Sequence, residues 1–182
     1  MLALAADQVW CRGGAVLNPH YRLMGLHGSE YWTYTLPRRV GVEEAARLTQ
    51  ACLPVSPAAA LRSGLVDRVI EAEASGYRAQ VTALAERLAR SPDYPARLAA
   101  KARQLAAAEK QRPLAAYRGD ELAIMSRNFS DPREPYAQLR RAFVDKEKPP
   151  HTPLHLARHR THPWPWSPGW SRTREMAGAL AR

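Results

Sequence analysis

One stretch of this chain, residues 18–41, gathers side chains that can exchange protons and sets them among aromatic rings. It reads NPHYRLMGLHGSEYWTYTLPRRVG and holds one carboxylate, two imidazoles and three phenols. A surface loop rarely carries so much aromatic area, and a purely structural strand rarely has charged and imidazole groups beside it. Because buried polar groups cost free energy unless they are paired or used in chemistry, the stretch predicts a pocket that closes on a basic turn.

The segments around this stretch predict the elements that would hold the pocket. Residues 8–11 and 15–17 have the character of short strands on either side of a turn signal, RGG, at residues 12–14. A helix with acidic residues in its first turn is predicted from Val42. Residues 65–70 predict a strand that is largely buried. Together these elements predict a short α/β core.

Helices are predicted both within this core and between it and residue 147. Ser56 is a natural N-cap and Pro57 a natural first helical residue, so a short helix is predicted over residues 58–63 that ends at Gly64. Apolar residues then recur at helical spacing. Four further helices are predicted. Two begin near Tyr77 and after Ser91-Pro92, and the other two cover residues 114–127 and 136–144.

The predicted organisation has three parts: a partial α/β core at residues 1–75, a helical region at 76–147 and an extension at 148–182. The extension is rich in Pro, His, Arg and Trp and has no hydrophobic periodicity, so we expect it to be disordered from about residue 161. No metal is expected, because Pro153 would break a helix that aligned its histidines and nearby arginines repel a cation. Those histidines are His151, His155, His159 and His162.

Composition restricts the class of protein. A chain of 182 residues with 46% hydrophobic residues can bury a real core. It has no apolar run long enough to span a membrane and no basic N-terminal region typical of a signal peptide, so we expect no membrane partner and a cytoplasmic location. Cys11 and Cys52 fit reduced thiols there. Much of the net charge of +10 follows Arg133, which argues against a nucleic-acid-binding face.

Three short motifs in a fixed order resemble a known family. They are LALAAD at residues 2–7, LPRRVG at residues 36–41 and GLVD at residues 64–67. Together they resemble the second half of the crotonase (enoyl-CoA hydratase/isomerase) family. The resemblance implies an α/β fold, the second half of a ClpP/crotonase-like ββα fold followed by a C-terminal helical region.

Within that family, the pocket stretch resembles one branch. Most hydratases carry a Pro-Glu pair, whereas here Pro19 is followed by His20 and Tyr21, and Glu30 stands in place of a glycine-rich run. This pattern, with residues 117–129, resembles the C-terminal domain of HypX/HoxX-type [NiFe]-hydrogenase maturation proteins. The resemblance implies that a formyltransferase-like module passes a formyl group to coenzyme A. The crotonase-like module then splits formyl-CoA into CoA and CO, the carbonyl ligand of the hydrogenase iron.

This resemblance implies roles for individual residues. Removing a formyl proton and protonating a thiolate needs a base and an acid in a dry site. Glu30 is the candidate base, Tyr21 the candidate proton donor or orienting group, and His20 a candidate partner, with Ser29 assisting by a hydrogen bond. The cofactor is coenzyme A, as formyl-CoA, and its phosphates are expected to contact two basic residues. These are Arg38 and Arg39.

The same resemblance implies that the chain is the C-terminal portion of something longer. The family's oxyanion hole uses two backbone N–H groups that would lie upstream of Met1, and losing one such donor typically costs about 10²–10³ in rate. We therefore expect little activity from the chain alone. The expected partners are formyl-CoA or CoA, the missing formyltransferase and N-terminal crotonase half, and other hydrogenase maturation proteins.

Two other functions stay open at this point. One is an ordinary enoyl-CoA hydratase or isomerase, against which the missing acid of the Pro-Glu pair counts. The other is a CoA-binding or assembly subunit without catalysis, or a gene remnant. The residues themselves also allow plainer roles. Tyr21 and Glu30 could be a buried hydrogen-bonded pair, and the neighbouring aromatic rings could serve packing alone.

Overall fold

Two short parallel strands are paired in the computed structural model, which describes residues 2–147. Strand β1, Trp10–Arg12, pairs with strand β2, Arg68–Ile70, in the register Trp10↔Arg68, Cys11↔Val69 and Arg12↔Ile70. Strand β2 lies within the strand predicted over residues 65–70, whereas β1 overlaps the strand predicted over residues 8–11 and extends to Arg12, which was predicted to belong to the turn. The extension predicted over residues 148–182, with its four histidines, lies outside the described residues.

The strand predicted over residues 15–17 does not form. Leu17 makes only an isolated antiparallel bridge with Val55, in which each residue donates its N–H to the other's carbonyl oxygen. In an antiparallel ladder the next such pairs would use the N–H groups of Pro19 and Pro57, and proline has none. The ladder therefore stops after one pair.

Seven helices lie within residues 2–147, besides two single turns of 3₁₀ helix at Leu2–Ala5 and Tyr21–Met24. Helix α3 begins where the sequence predicts, since the Ser56 hydroxyl accepts a hydrogen bond of 3.2 Å from the backbone N–H of Ala59. The helices are α1 Trp32–Val40, α2 Val42–Ala51, α3 Pro57–Arg62, α4 Ala74–Ala89, α5 Tyr94–Gln111, α6 Leu114–Ser130 and α7 Tyr136–Val144.

The predicted basic turn at the end of the pocket stretch is instead the last turn of helix α1. The helix continues through Pro37 and ends at Val40, and the φ of +83° at the following residue, Gly41, breaks the right-handed helical path. Helix α2 starts at the next residue. A single glycine with left-handed φ therefore lets two helices meet without a loop.

The core lies where α1, α2 and α3 meet the segments that lead into β1 and β2. Its buried residues are Val9, Leu36, Ala45, Leu48, Ala60, Leu65 and Val66. Every described element except the last residue of α7 belongs to one packed unit that ends at Phe143. The division predicted at residue 75 stays a prediction. Among residues 2–147 no helix has the length and apolar character needed to cross a membrane.

Candidate active site

A hydrogen-bonded pair of Tyr21 and Glu30 stands at the centre of the pocket stretch. The Tyr21 hydroxyl donates to Glu30 Oε1 at 2.8 Å, and the backbone N–H of Ser29 donates to Glu30 Oε2 at 3.2 Å. Burial, together with the Glu30 carboxylate, raises the pKa of the Tyr21 phenol. The phenol therefore keeps its proton at neutral pH, and both oxygens of the carboxylate are held in place.

Gly28 gives the Tyr21 ring its position. This glycine is buried and has φ of +84°, and a Cβ built on it would lie 2.9 Å from the ring of Tyr21. Such an approach is shorter than van der Waals contact, and L residues rarely adopt this φ. The Gly28-Ser29-Glu30 motif thus supplies both the space for the phenol and the carboxylate that it binds.

The pair borders two cavities. Glu30 lines a cleft of about 760 Å³ together with Tyr31, Tyr34 and Arg38 of the segment that forms α1 and with Lys101 of α5. Tyr21 lines a second cavity of about 210 Å³ with Leu26, His27 and Trp32. A group bound in one cavity would therefore meet one member of the pair, and a ligand that reaches both cavities would meet both.

His27 is the polar side chain that the small cavity leaves unpaired. Its Nε2 is buried without a hydrogen-bond partner among residues 2–147, and its ring lies 5.0 Å from that of Trp32. Burial lowers the pKa of His27, although the charge of Glu121 opposes this effect. His27 is therefore neutral at physiological pH.

The structure does not bring His20 to the carboxylate of Glu30. His20 is exposed, its Nδ1 lies 3.0 Å from the carbonyl oxygen of Asn18, and its ring is stacked beside that of Tyr21 with the centroids 6.1 Å apart. Its proposed role as a partner of the pair stays a prediction.

The two arginines expected at CoA phosphates have different surroundings. Arg39 forms an ion pair with Asp67 and donates from Nε to the carbonyl oxygen of Leu65 at 3.4 Å. Arg38 is exposed, and its guanidinium lies 4.4 Å from the centre of the Tyr34 ring. No ion pair with a carboxylate engages Arg38 within residues 2–147. Arg38 is therefore the better placed of the two to contact a ligand.

Sequence reasoning assigned no role at the site to helix α6. Glu121 of this helix is completely buried and accepts hydrogen bonds from the backbone N–H of Tyr31 at 2.8 Å and of Thr33 at 3.0 Å. It also accepts from the Thr33 hydroxyl at 2.6 Å. Polar residues recur at helical spacing in α6, but this spacing alone does not indicate which groups of the pocket stretch they contact.

Comparisons with known proteins identify the family of the chain. The enoyl-CoA hydratase/isomerase family profile matches residues 1–153. The hydrogenase maturation factor HoxX of Bradyrhizobium diazoefficiens is 45% identical over 168 residues, which are 92% of this chain and 30% of that protein. The chain thus spans about 30% of the length of this curated relative.

Solved structures confirm the predicted crotonase-like fold. HypX from Aquifex aeolicus, in complex with tetrahydrofolic acid, is 34% identical with a TM-score of 0.78, over 90% of this chain and 29% of that one. An enoyl-CoA hydratase/isomerase from Pseudoalteromonas atlantica has a TM-score of 0.66 over 83% of this chain and 58% of that one. At 22% identity, the latter shows the fold alone.

Proposed function

The chain belongs to the enoyl-CoA hydratase/isomerase family, and from that membership we propose that it is the crotonase-like module of a HypX/HoxX-type hydrogenase maturation factor that cleaves formyl-CoA to CO and CoA. The observation that carries the proposal is the Tyr21–Glu30 pair. A carboxylate that is hydrogen-bonded to a phenol offers one base and one acid. The hydratase reaction, which adds water across a double bond, instead needs two carboxylates.

The proposed reaction needs one proton to move from carbon to sulfur. Glu30 takes the formyl proton, and the electron pair of that C–H bond becomes the lone pair on the carbon of CO. The C–S bond breaks with its electrons going to sulfur, and the thiolate receives a proton from the Tyr21 hydroxyl. Tyr21 is then reprotonated by Glu30 through their 2.8 Å hydrogen bond. The net change is formyl-CoA to CO and CoA without oxidation or reduction.

The surroundings of the pair support this chemistry over hydration. Glu121, the fully buried carboxylate of the region, has both oxygens occupied by hydrogen bonds from Tyr31 and Thr33, so it is not available to activate water. The cavity beside Tyr21 has a mainly apolar lining that includes Leu26 and Trp32. A site poor in water suppresses hydrolysis of the thioester to formate.

We place CoA in the larger cleft. Its volume of about 760 Å³ is in the range of cofactor sites, and Glu30 forms part of its wall. Arg38 at the same cleft offers a cation for a phosphate group. Lys101 also lines the cleft, but it already binds Asp7 and the carbonyl oxygen of Ala5. We therefore assign the contact with the CoA phosphates to Arg38.

The wider setting follows from the same proposal. Formyl-CoA would come from a formyltransferase module, and the CO would pass to other hydrogenase maturation proteins. Cys11 and Cys52 are both free thiols, which fits the reducing cytoplasm where these steps would take place.

The test is CO release from formyl-CoA, measured by trapping the gas on reduced haemoglobin. Because the chain spans about 30% of HoxX, it is assayed both alone and together with the part of HoxX outside the match. Tyr21→Phe and Glu30→Gln should each lower CO release by at least about 10², the usual contribution of a positioned acid or base. Glu43→Gln, an exposed carboxylate on α2, is the control and should release CO like the wild type.

Two parallel assays separate the other functions. Hydration of crotonyl-CoA without CO release would replace the proposal with an ordinary hydratase. Binding of CoA, measured by calorimetry, without turnover of either substrate in both settings would replace it with a binding or assembly role.

A further inference from the structure

We infer that one face of helix α6 positions Glu30, with Arg118 and Glu121 as the positioning residues. The kinetic part of this inference rests on the function proposed above, but its geometric part does not. Arg118, Glu121, Met125 and Asn128 are spaced by three, four and three residues, which places them along one face of the helix.

This face binds a run of backbone groups in the segment that carries Glu30. The segment has no strand partner within residues 2–147, so side chains satisfy groups that a sheet would otherwise pair. The contacts are His27 N to Asn128 Oδ1 at 2.9 Å, Gly28 N to Met125 Sδ at 3.1 Å, Arg118 Nη1 to Ser29 O, Tyr31 N to Glu121 Oε2 at 2.8 Å and Thr33 N to Glu121 Oε1 at 3.0 Å.

Two of these contacts hold the peptide groups on either side of Glu30. The carbonyl oxygen of Ser29 belongs to the peptide before Glu30, and Arg118 donates to it. The N–H of Tyr31 belongs to the peptide after Glu30, and Glu121 accepts from it. A residue's φ and ψ are set by the orientations of its two flanking peptides. Arg118 and Glu121 thus fix the direction in which the Glu30 side chain leaves the backbone.

The conformation of Tyr31 shows why this support is needed. Tyr31 has φ of +57° and ψ of +27°, the left-handed region that residues with a Cβ avoid. It is also the N-cap of α1, but its own side chain makes no capping hydrogen bond. Glu121 provides that cap from 88 residues away by accepting from the backbone N–H of Thr33, and the guanidinium of Arg118 lies 5.4 Å from the centre of the Tyr31 ring. The strained turn next to Glu30 is therefore stabilised from outside, by side chains of α6.

The effect of each substitution follows from these contacts. Glu121→Gln keeps the shape of the side chain but turns one of its two acceptor atoms into a donor, which then faces an N–H group. Arg118→Met removes the donor to Ser29 and keeps most of the apolar length. Arg118→Lys retains a donor, so its Tyr21 titration and kcat should lie closer to the wild-type values than those of Arg118→Met. Asp120→Asn and Arg127→Met make matched changes at exposed positions on the same helix and serve as controls.

The first readout needs no turnover. Tyrosine labelled with ¹³C at Cζ reports the ionisation of Tyr21 by NMR, with Tyr21→Phe used to assign the signal. If α6 positions Glu30, then Glu121→Gln and Arg118→Met should lower the pKa of Tyr21 in the direction that Glu30→Gln does, because the phenol loses its carboxylate partner. Both controls should leave it unchanged. An unchanged Tyr21 titration in both α6 variants would overturn the inference.

The second readout is kinetic. In the setting where the wild type releases CO, both α6 variants should lower kcat by about 10- to 100-fold, because a misplacement of about 1 Å at the reacting group can cost 10²-fold. KM should change by less, since neither residue is placed at the CoA phosphates. A merely structural role would lower the melting temperature while kcat and the Tyr21 titration of the folded protein stayed at wild-type values.

The two readouts distinguish failure of this inference from failure of the proposed function. A wild type that releases no CO in either setting would contradict the function, and the Tyr21 titration would still decide whether α6 positions Glu30. If Glu121→Gln does not fold, then Arg118→Met and its rescue by Arg118→Lys decide the same question.

Discussion

The ring of Tyr21 lies against Gly28 so closely that a Cβ at Gly28 would be 2.9 Å from it. The contact joins the residue that carries the phenol to the motif that carries Glu30. Gly28 is therefore required both by its backbone conformation and by the space around it.

Replacing Gly28 with alanine should disturb both the fold and the pair. The φ of +84° disfavours a Cβ by about 1–2 kcal/mol, and moving the Tyr21 ring should add about 1–3 kcal/mol. Gly14→Ala is the control, because Gly14 has φ of +78° but a Cβ added there would have no atom within 4 Å. Urea unfolding of both variants measures the difference, and equal losses would show that the ring contact contributes nothing.

The neighbouring arginines of α1 should separate ligand binding from stability. Arg39→Gln should lower the free energy of unfolding by about 1–3 kcal/mol, since it breaks charge-assisted hydrogen bonds that hold α1 to the chain before β2. Arg38→Gln should leave stability nearly unchanged but weaken CoA binding by about tenfold, the equivalent of ~1.4 kcal/mol. Chemical denaturation measures the stability of both variants, and calorimetry measures their binding of CoA. The reverse pattern would place the phosphate contact at Arg39.

Local signals account for the parts of this structure that could be predicted. Ser56 and Pro57 start helix α3, and Gly64, with φ of +76°, follows its end, because capping depends only on neighbouring residues. The bridge at Leu17 was predicted as a strand, since the missing N–H groups of Pro19 and Pro57 matter only once residues 17 and 55 are known to pair. The two strands that form, β1 and β2, have three residues each, fewer than their hydrophobic segments predicted.

Long-range pairing explains what could not be predicted at the site. Tyr21 and Glu30 are nine residues apart and were chosen together from the sequence, and their hydrogen bond is present. Glu121 and Tyr31 are 90 residues apart, and nothing in either residue's local pattern indicates the other. Asp67 likewise engages Arg39 from 28 residues away, which diverts an arginine expected at a ligand.

The buried imidazole of His27 should make the protein less stable in acid. Burial lowers the pKa of His27 in the folded state relative to the unfolded chain. The unfolded state therefore binds a proton first as the pH falls below about 6.5, and stability declines until the pH reaches the folded-state pKa. Urea midpoints between pH 7.5 and pH 5 should fall more steeply for the wild type than for His27→Gln.

A wild-type slope in His27→Gln would show that a group other than His27 is responsible for the loss of stability in acid.

The small cavity beside Tyr21 should govern how much formyl-CoA is lost to hydrolysis. Trp32 lines this cavity and is fixed there by a 2.9 Å hydrogen bond from its indole Nε1 to the carbonyl oxygen of His27. Trp32→Leu removes that bond and enlarges the cavity, so water gains access to the thioester. The ratio of formate to CO should therefore rise, with total CoA release changing less. Haemoglobin trapping and an enzymatic formate assay measure the two products.

Trp10 offers a matched control for the loss of an indole. It is also half-buried, and its Nε1 donates at 2.7 Å to Gln8, but it lies on β1 and lines neither cavity at the pair. Trp10→Leu should leave the product ratio unchanged even if it lowers stability. If both variants raise formate equally, general loosening of the fold explains the hydrolysis. If neither does, the wall of the small cavity does not keep water from the thioester, and the exclusion of water must come from the side of the larger cleft.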